Sequence, residues 1–474
     1  MTVSIDRAAR VQPSPRQVAF QEMEFYAFVH FSMNTFTGQE WGSGQDEPSI
    51  FHPTAFDANQ WVAACQAAGM TGLILTCKHH DGFCLWPSQY TDYSVKNSPW
   101  KNGEGDIVRE VADACQRMGM KFGVYLSPWD RHETTYGDSP AYNQFFLNQL
   151  RELLTAYGDI FCVWFDGACG EGPNGKRQQY DWDSYFSLIR ELQPNAVISV
   201  CGPDVRWCGN EAGHCRTSEW SVVPASVADN EKIQEKSQQE DNREFATNYS
   251  SSEEDLGSRA IIANEQHLIW YPAEVNTSIR PGWFYHQEED EKVKSLDELL
   301  RVYYGSVGGN ASFLLNIPPD RRGLFHEHDV QRLRQLGDKL RHIFAQDLAE
   351  GKMATATEEK LGYNAQHVLV TDKEKYWAPE EGTESAAITI DLGEQLLFDH
   401  VVLQEHYMSQ RVEKFELAYE NTAGQFVTLY VGTIIGRKRI CEVPATTARK
   451  LRMTILQSRW WPNIASIQVY NSTI

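Results

Sequence analysis

Basic charge is scarce in this chain. It has 43 Lys and Arg against 64 Asp and Glu in 474 residues, a formal net charge of −21. A polyanion would be repelled, so nucleic acid is not the expected partner and neutral substrates stay open. Long apolar runs are missing too. None approaches the roughly 20 residues of a membrane-spanning helix, so no membrane insertion is expected. The opening stretch MTVSIDRAARVQPSPRQ has no apolar segment of the signal-peptide kind. The compartment stays open: a periplasmic or secreted location fits if such a segment has been trimmed. No CxxC pair occurs among the ten cysteines, which read as mostly free, buried thiols. Cys208, His214 and Cys215 lie close in sequence, but their spacing matches no standard zinc site. With no GxGxxG or Walker loop before a helix, nucleotide cofactors are not expected. No GxSxG elbow supports a Ser–His–Asp triad. The expectation is therefore no cofactor and no metal.

What is present points to two domains, since the length exceeds one ordinary core. Short apolar runs recur at 25–32, 71–83, 121–130, 159–167, 196–204, 218–222, 267–275 and 311–320. Runs of this length suit strands buried on both faces, as in a parallel sheet. Helical patterns lie between several of them. One opens on Asp57, with Gln60 three residues on, and stops at Gly69. Its apolar stripe is Trp61, Val62, Cys65 and Ala68. Another opens on Asp106, buries Ile107, Val108, Val111, Cys115 and Met118, and stops at Gly119. Eight strands with intervening helices predict an α/β, (β/α)8-barrel-like domain over 1–350. A polar excursion is expected at 227–255. Beyond 350 the pattern alternates and turns tightly, which predicts an antiparallel β-sandwich over 351–474, joined through a linker at 351–364.

In such a barrel the strand ends carry the chemistry. Those ends supply His30, then His79, His80 and Asp81, then Trp129 and Asp130, then Trp164 and Asp166. Asp204 with Arg206, Glu219 with Trp220, and Glu274 follow. Two carboxylates flanking a bond are the equipment of glycoside hydrolysis, one to attack or activate water and one to protonate the leaving oxygen. The 14 Trp suit a sugar site, although core packing also uses them. Asp166, at the end of an apolar run and before Gly167, suits a nucleophile and an Asx turn equally. Adjacent residues of a regular strand face opposite ways, so His79 and His80 would not share an ion from within one. At a strand end they can bond two hydroxyls of one sugar.

Six motifs in order, HFSMNTFTGQEW (30–41), KHHDGFCLWPS (78–88), GVYLSPWDRH (123–132), VWFDGACGEG (163–172), GPDVRWCGNEAG (202–213) and RPGWFYH (280–286), resemble the α-L-fucosidases of glycoside hydrolase family 29 over about 15–345. The resemblance implies retaining hydrolysis of terminal α-L-fucose through a covalent glycosyl-enzyme. It implies Asp166 as nucleophile and a fucose pocket of His30, Glu40, Trp41, His79, His80, Tyr125 and Trp164. GNEAG resembles the subgroup acting on α-1,3 and α-1,4 fucosyl links of Lewis-type glycans. That implies Glu211 as acid/base and a fucosylated oligosaccharide or glycoconjugate glycan as partner; Glu274 and Glu219, which also sit near strand ends, are the alternatives. Arg206 would orient a carboxylate or form a surface ion pair. The C-terminal part resembles discoidin-like carbohydrate-binding modules and is expected to prop the barrel rather than bind sugar. Two other readings are a sugar-binding protein on a degenerate barrel and a retaining glycosidase for another sugar.

Overall fold

The computed structural model describes residues 5–237 and 255–473. The strands in chain order are β1 (Phe25–Val29), β2 (Gly72–Lys78), β3 (Lys121–Leu126), β4 (Ile160–Phe165), β5 (Val197–Val200), β6 (Arg206–Trp207), β7 (Val222–Pro224), β8 (Leu268–Trp270), β9 (Ala273–Ser278) and β10 (Ser312–Asn316). Eight of them form one parallel sheet in the order β5-β4-β3-β2-β1-β10-β9-β6. A single parallel bridge between Ser199 and Val205 spans the seam from β5 to β6, so the barrel is nearly closed.

The continuous apolar runs have the expected cause. Along β1, Tyr26 and Phe28 point into the barrel with Ile74, Tyr125, Cys162, Trp164 and Leu314. Phe25, Ala27 and Val29 face the surrounding helices. Alternation thus buries both faces, one in the ring's interior and one under helices. The helix starts also follow the sequence. Asp57 accepts the amides of Asn59 and Gln60 ahead of the helix Ala58–Ala67, and Asp106 accepts that of Arg109 ahead of Ile107–Met118. Gln60 does not complete a capping box. Its side chain donates to the Phe325 carbonyl at 2.9 Å and accepts the Phe325 amide at 3.0 Å, tying this helix to a distant loop. All ten cysteines are unpaired, and eight are buried.

Two strand expectations need correction. The sixth barrel strand is Arg206–Trp207, not 218–222. At two residues it is too short to leave a hydrophobic run. Val222–Pro224 pairs instead with Leu268–Trp270 in a separate antiparallel pair. The run 267–275 is two strands, interrupted at Pro272, which lacks an amide hydrogen. Of the excursion at 227–255, residues 238–254 lie outside the described residues.

The helix Glu327–Ile343 packs against Ala58–Ala67 at Gly337. A Cβ there would sit 1.9 Å from the Ala67 carbonyl oxygen. Gly337→Ala is therefore expected to destabilise the fold by about 1–3 kcal/mol, read as a lowered midpoint in denaturant or thermal unfolding. An unchanged midpoint would mean that the helices separate freely.

The C-terminal part is β11 (Met353–Ala356), β12 (Ala386–Glu405), β13 (Val412–Glu420), β14 (Phe426–Gly432), β15 (Arg439–Ser458) and β16 (Ile464–Tyr470), all antiparallel. β11 falls inside the stretch expected to be a linker, because Met353–Ala356 pairs with Ile388–Asp391. β12 and β15 lose register between Asp391 and His400. The first half of β12 pairs with β11 and the second half with β16. Ile388, Ile390, Val401, Leu403, Ile467 and Val469 share one core between the resulting layers.

Candidate active site

The strand ends of the barrel converge on a pocket with about 680 Å³ of empty space, counted to its open mouth. His30, Glu40, Trp41, His79, His80, Trp164, Asp166 and Glu211 line it, together with Phe28, Val200, Trp207, Asn276 and Trp283. Val200, at the end of β5, has φ 68°, a left-handed conformation that costs a β-branched residue on the order of 1–3 kcal/mol.

Asp166 follows the last residue of β4. Its Oδ2 accepts the Tyr125 hydroxyl at 2.9 Å, and its Oδ1 accepts the Ala168 amide at 2.8 Å. The Asx turn suggested by the sequence is therefore real, but it uses one oxygen only. The side chain keeps 23% exposure, facing the cavity. Tyr125 does not line the pocket; it lies beneath, stacked on Trp164 with centroids 5.4 Å apart.

Three histidines supply acceptors. His30 Nδ1 lies 2.8 Å from Asn316 Oδ1, while the Asn316 amide donates to Ser278 Oγ and the Trp283 carbonyl. Asn316 Oδ1 can only accept, so the His30 ring carries its proton on Nδ1 and leaves Nε2 as an acceptor. The same logic fixes His80. Ser127 Oγ donates to the Trp129 carbonyl at 2.6 Å and so must accept from His80 Nδ1 at 2.7 Å. His80 Nε2 then stands 3.8 Å from Asp166 Oδ2. Burial keeps all three rings neutral: it lowers His30 to about 3, His80 to about 4 and His79 well below the usual range. β2 ends at Lys78, so His79 and His80 leave the strand alternation and their rings come within 4.1 Å. With Asp166 they place ligand-capable atoms within 4.8 Å of one another.

Glu211 sits on the loop after β6 and accepts the Trp283 indole hydrogen at 2.8 Å. Burial, reinforced by the charges of Asp166 and Glu40 and partly offset by that hydrogen bond, pushes its carboxyl up to about 8. Glu40 is held by the other end of the same segment. It accepts the Trp283 amide at 2.9 Å and shares a 2.7 Å hydrogen bond with His286 Nε2. A carboxylate partly open to the cavity, a second carboxyl that burial raises to about 8, and neutral imidazoles around one cavity can attack, protonate and hold a neutral polyol.

The sequence pattern described as "Alpha-L-fucosidase" matches residues 14–343, and that described as "F5/8 type C domain" matches 353–468. The chain belongs to the α-L-fucosidase family. It is 40% identical over 469 residues to "Alpha-L-fucosidase 1" of Arabidopsis thaliana, covering 97% of this chain and 87% of that one. A solved "putative alpha-L-fucosidase" of Bacteroides ovatus superimposes with a TM-score of 0.86 at 46% identity, covering 99% of this chain and 76% of that chain. A Ruminococcus gnavus GH29 fucosidase in complex with fucose superimposes at 0.85 with 33% identity, covering 98% and 95%. The chain is accordingly a glycoside hydrolase of this family, a barrel followed by an antiparallel sandwich.

The alternatives to Glu211 sit elsewhere. Glu274 in β9 is sealed inside the barrel behind Trp164, accepting Trp164 Nε1 at 2.7 Å and Tyr26 Oη at 2.5 Å. Glu219 is buried against Arg206 at 2.5 Å and Arg216 at 3.4 Å. Burial alone would raise Glu219, and the two guanidinium groups outweigh it and hold it below the ordinary range. Arg206 thus orients a carboxylate, but one outside the pocket. Asp130 pairs with buried Lys78 at 2.7 Å, and Asp204 accepts the Ile198 amide at 2.8 Å. Asp81, Trp129 and Trp220 also lie off the pocket lining. Sequence reasoning did not single out Trp283, Trp207, Asn276 or Phe28. The first two stand inside motifs that were legible, RPGWFYH and GPDVRWCGNEAG. Asn276 and Phe28 sit in strands and carried no separate signal.

Among the described residues no helix is long and apolar enough to cross a membrane.

Proposed function

We propose that the chain is an exo-acting, retaining α-L-fucosidase that removes terminal α-1,3/1,4-linked L-fucose from Lewis-type glycans, with catalysis carried by residues 1–350 and residues 351–474 as an appended sandwich. The observation that carries this reading is the pairing of Asp166 with Glu211 across one cavity, the first held as an acceptor and the second kept protonated by burial. Glu211 donates its proton to the glycosidic oxygen as Asp166 attacks C1. Glu211, now a carboxylate, deprotonates the water that releases fucose. The negative charge of Asp166 favours protonated Glu211 until the covalent bond neutralises it, which is the order the two steps need. His30, Glu40, Trp41, His79 and His80 accept and donate to the sugar hydroxyls, Tyr125 orients Asp166, and Trp164 walls the ring. The substrate class is supported by relatives named as α-L-fucosidases, one of them solved with fucose. The linkage rests on the GNEAG motif around Glu211.

An aryl α-L-fucoside and a Lewis-type trisaccharide test the reading together. Both should release fucose, first as the α-anomer by NMR. Release from neither overturns it; release from the aryl fucoside alone overturns the linkage. The pH profile tests the acid. Glu211 must be protonated for the first step, so kcat/KM should fall as pH rises through about 8. Glu274→Leu should keep that limb and lower thermal stability instead, because it strands the Trp164 and Tyr26 donors at about 1–3 kcal/mol each. Loss of the limb in Glu274→Leu would make Glu274 the acid.

A further inference from the structure

The loop that carries Glu211 is held from the second domain. Between β6 and β7 the chain runs from Cys208 to Ser221, its two ends bonded through the backbone to Glu274 and Tyr271 and, among the described residues, no strand assigned between them. Its near end is tied internally. Asn210 Oδ1 accepts the amides of Ala212 and His214, each at 3.1 Å. Arg216 donates to the Cys208 carbonyl at 2.9 Å and pairs with Glu219. The far end is tied from the barrel side, where Arg206 donates to the Trp220 carbonyl at 3.1 Å and Trp220 Nε1 to Asp255 at 2.7 Å, and also from the sandwich. Thr433 Oγ1 donates to the Thr217 carbonyl at 3.0 Å, and Arg439 to the same oxygen at 3.3 Å. Gln410 Oε1 accepts the Ser221 amide at 2.7 Å, and the Arg459 guanidinium lies 3.4 Å over the Trp220 ring. Gln410 and Arg459 are each 1% exposed. Asn310 bridges as well, accepting the Arg437 amide at 2.6 Å and donating to the Glu219 carbonyl at 2.7 Å.

We propose that the C-terminal sandwich is a positioning element for the acid/base: through Gln410, Thr433, Arg439 and Arg459 it fixes the far end of the 208–221 loop and so sets where Glu211 delivers its proton. The proposal rests on the reading of Glu211 as acid/base. The nucleophile needs no such support, because Asp166 is fixed within the barrel by Tyr125 and the Ala168 amide. Loosening the clamp therefore affects one catalytic group and spares the other. Displacing a catalytic group by about 1 Å can cost roughly 10²-fold in rate, and the loss falls on substrates whose leaving group needs the proton.

The test uses Gln410→Ala and Thr433→Val in the full chain, with Thr433→Ser as the variant that keeps the hydroxyl. On methyl α-L-fucoside, whose leaving group must be protonated, kcat/KM should fall roughly tenfold or more in the first two variants. On 2,4-dinitrophenyl α-L-fucoside, whose leaving group departs as an anion, it should stay within about twofold, as should L-fucose binding. Thr433→Ser should behave as the parent on both. Equal losses on the two fucosides, or no loss on either, overturn the proposal. If Gln410→Ala does not fold, the two Thr433 variants decide it. Glu211→Ala is the control. If it too shows no split between the fucosides, the acid/base reading fails; if it splits and the clamp variants do not, the clamp alone fails.

Discussion

Asp166→Ala is expected to lower fucoside hydrolysis by on the order of 10⁴-fold or more on every substrate, whatever the leaving group. Without the carboxylate no covalent intermediate forms, and activating the aglycone cannot compensate. The fold should survive. Asp166 is partly exposed to the cavity, and among the described residues its carboxylate hydrogen-bonds Tyr125 and the Ala168 amide and stands 3.8 Å from His80 Nε2, so the substitution strands one buried hydroxyl at about 1–3 kcal/mol. The measurement is kcat/KM on an activated aryl fucoside beside a thermal melt and fucose binding. Activity near that of the parent would remove Asp166 from the mechanism. Lost activity with a collapsed melt would reveal a structural role instead.

Glu211→Ala should produce a different signature. Substrates with poor leaving groups should lose on the order of 10²–10⁴-fold, the usual worth of general acid catalysis, while an activated aryl fucoside reacts at the first step almost as before. With the base also gone, its fucosyl-enzyme should accumulate, and added azide, a nucleophile that needs no deprotonation, should partly restore turnover. The basic limb near pH 8 should vanish with the side chain that sets it. Near-normal cleavage of a Lewis-type glycan would overturn the assignment. Glu219, held ionised by two guanidinium groups, could not take over as the acid.

The strands were legible where burial on both faces makes a run continuous, as in β1 to β5 and β10. They were not legible where the ring closes, because the two residues of β6 leave no periodicity and Pro272 splits the next run. Asp166 shows the same limit at the level of one side chain. Its place after an apolar run suited both a turn and a nucleophile, and in the structure Oδ1 makes the turn while Oδ2 accepts the Tyr125 hydroxyl. Glu274, weighed as an alternative to Glu211, shows the limit in another way. It stands in a barrel strand, but alternation turns it inward behind Trp164 rather than up to the rim. Partners far apart in sequence were invisible throughout. Nothing near residue 211 announces that Trp283 will bond it.

One of the two neighbours of β1 in the ring is β10, and His30 takes its tautomer from Asn316, 286 residues later. A ribosome working at about 5–20 residues per second needs roughly 15–60 s to cover that distance. During that time the first strand has only β2 beside it, and the ring cannot shut. The cavity at the strand ends straddles this last-formed joint, so the nascent chain acquires it only when nearly the whole barrel has been made.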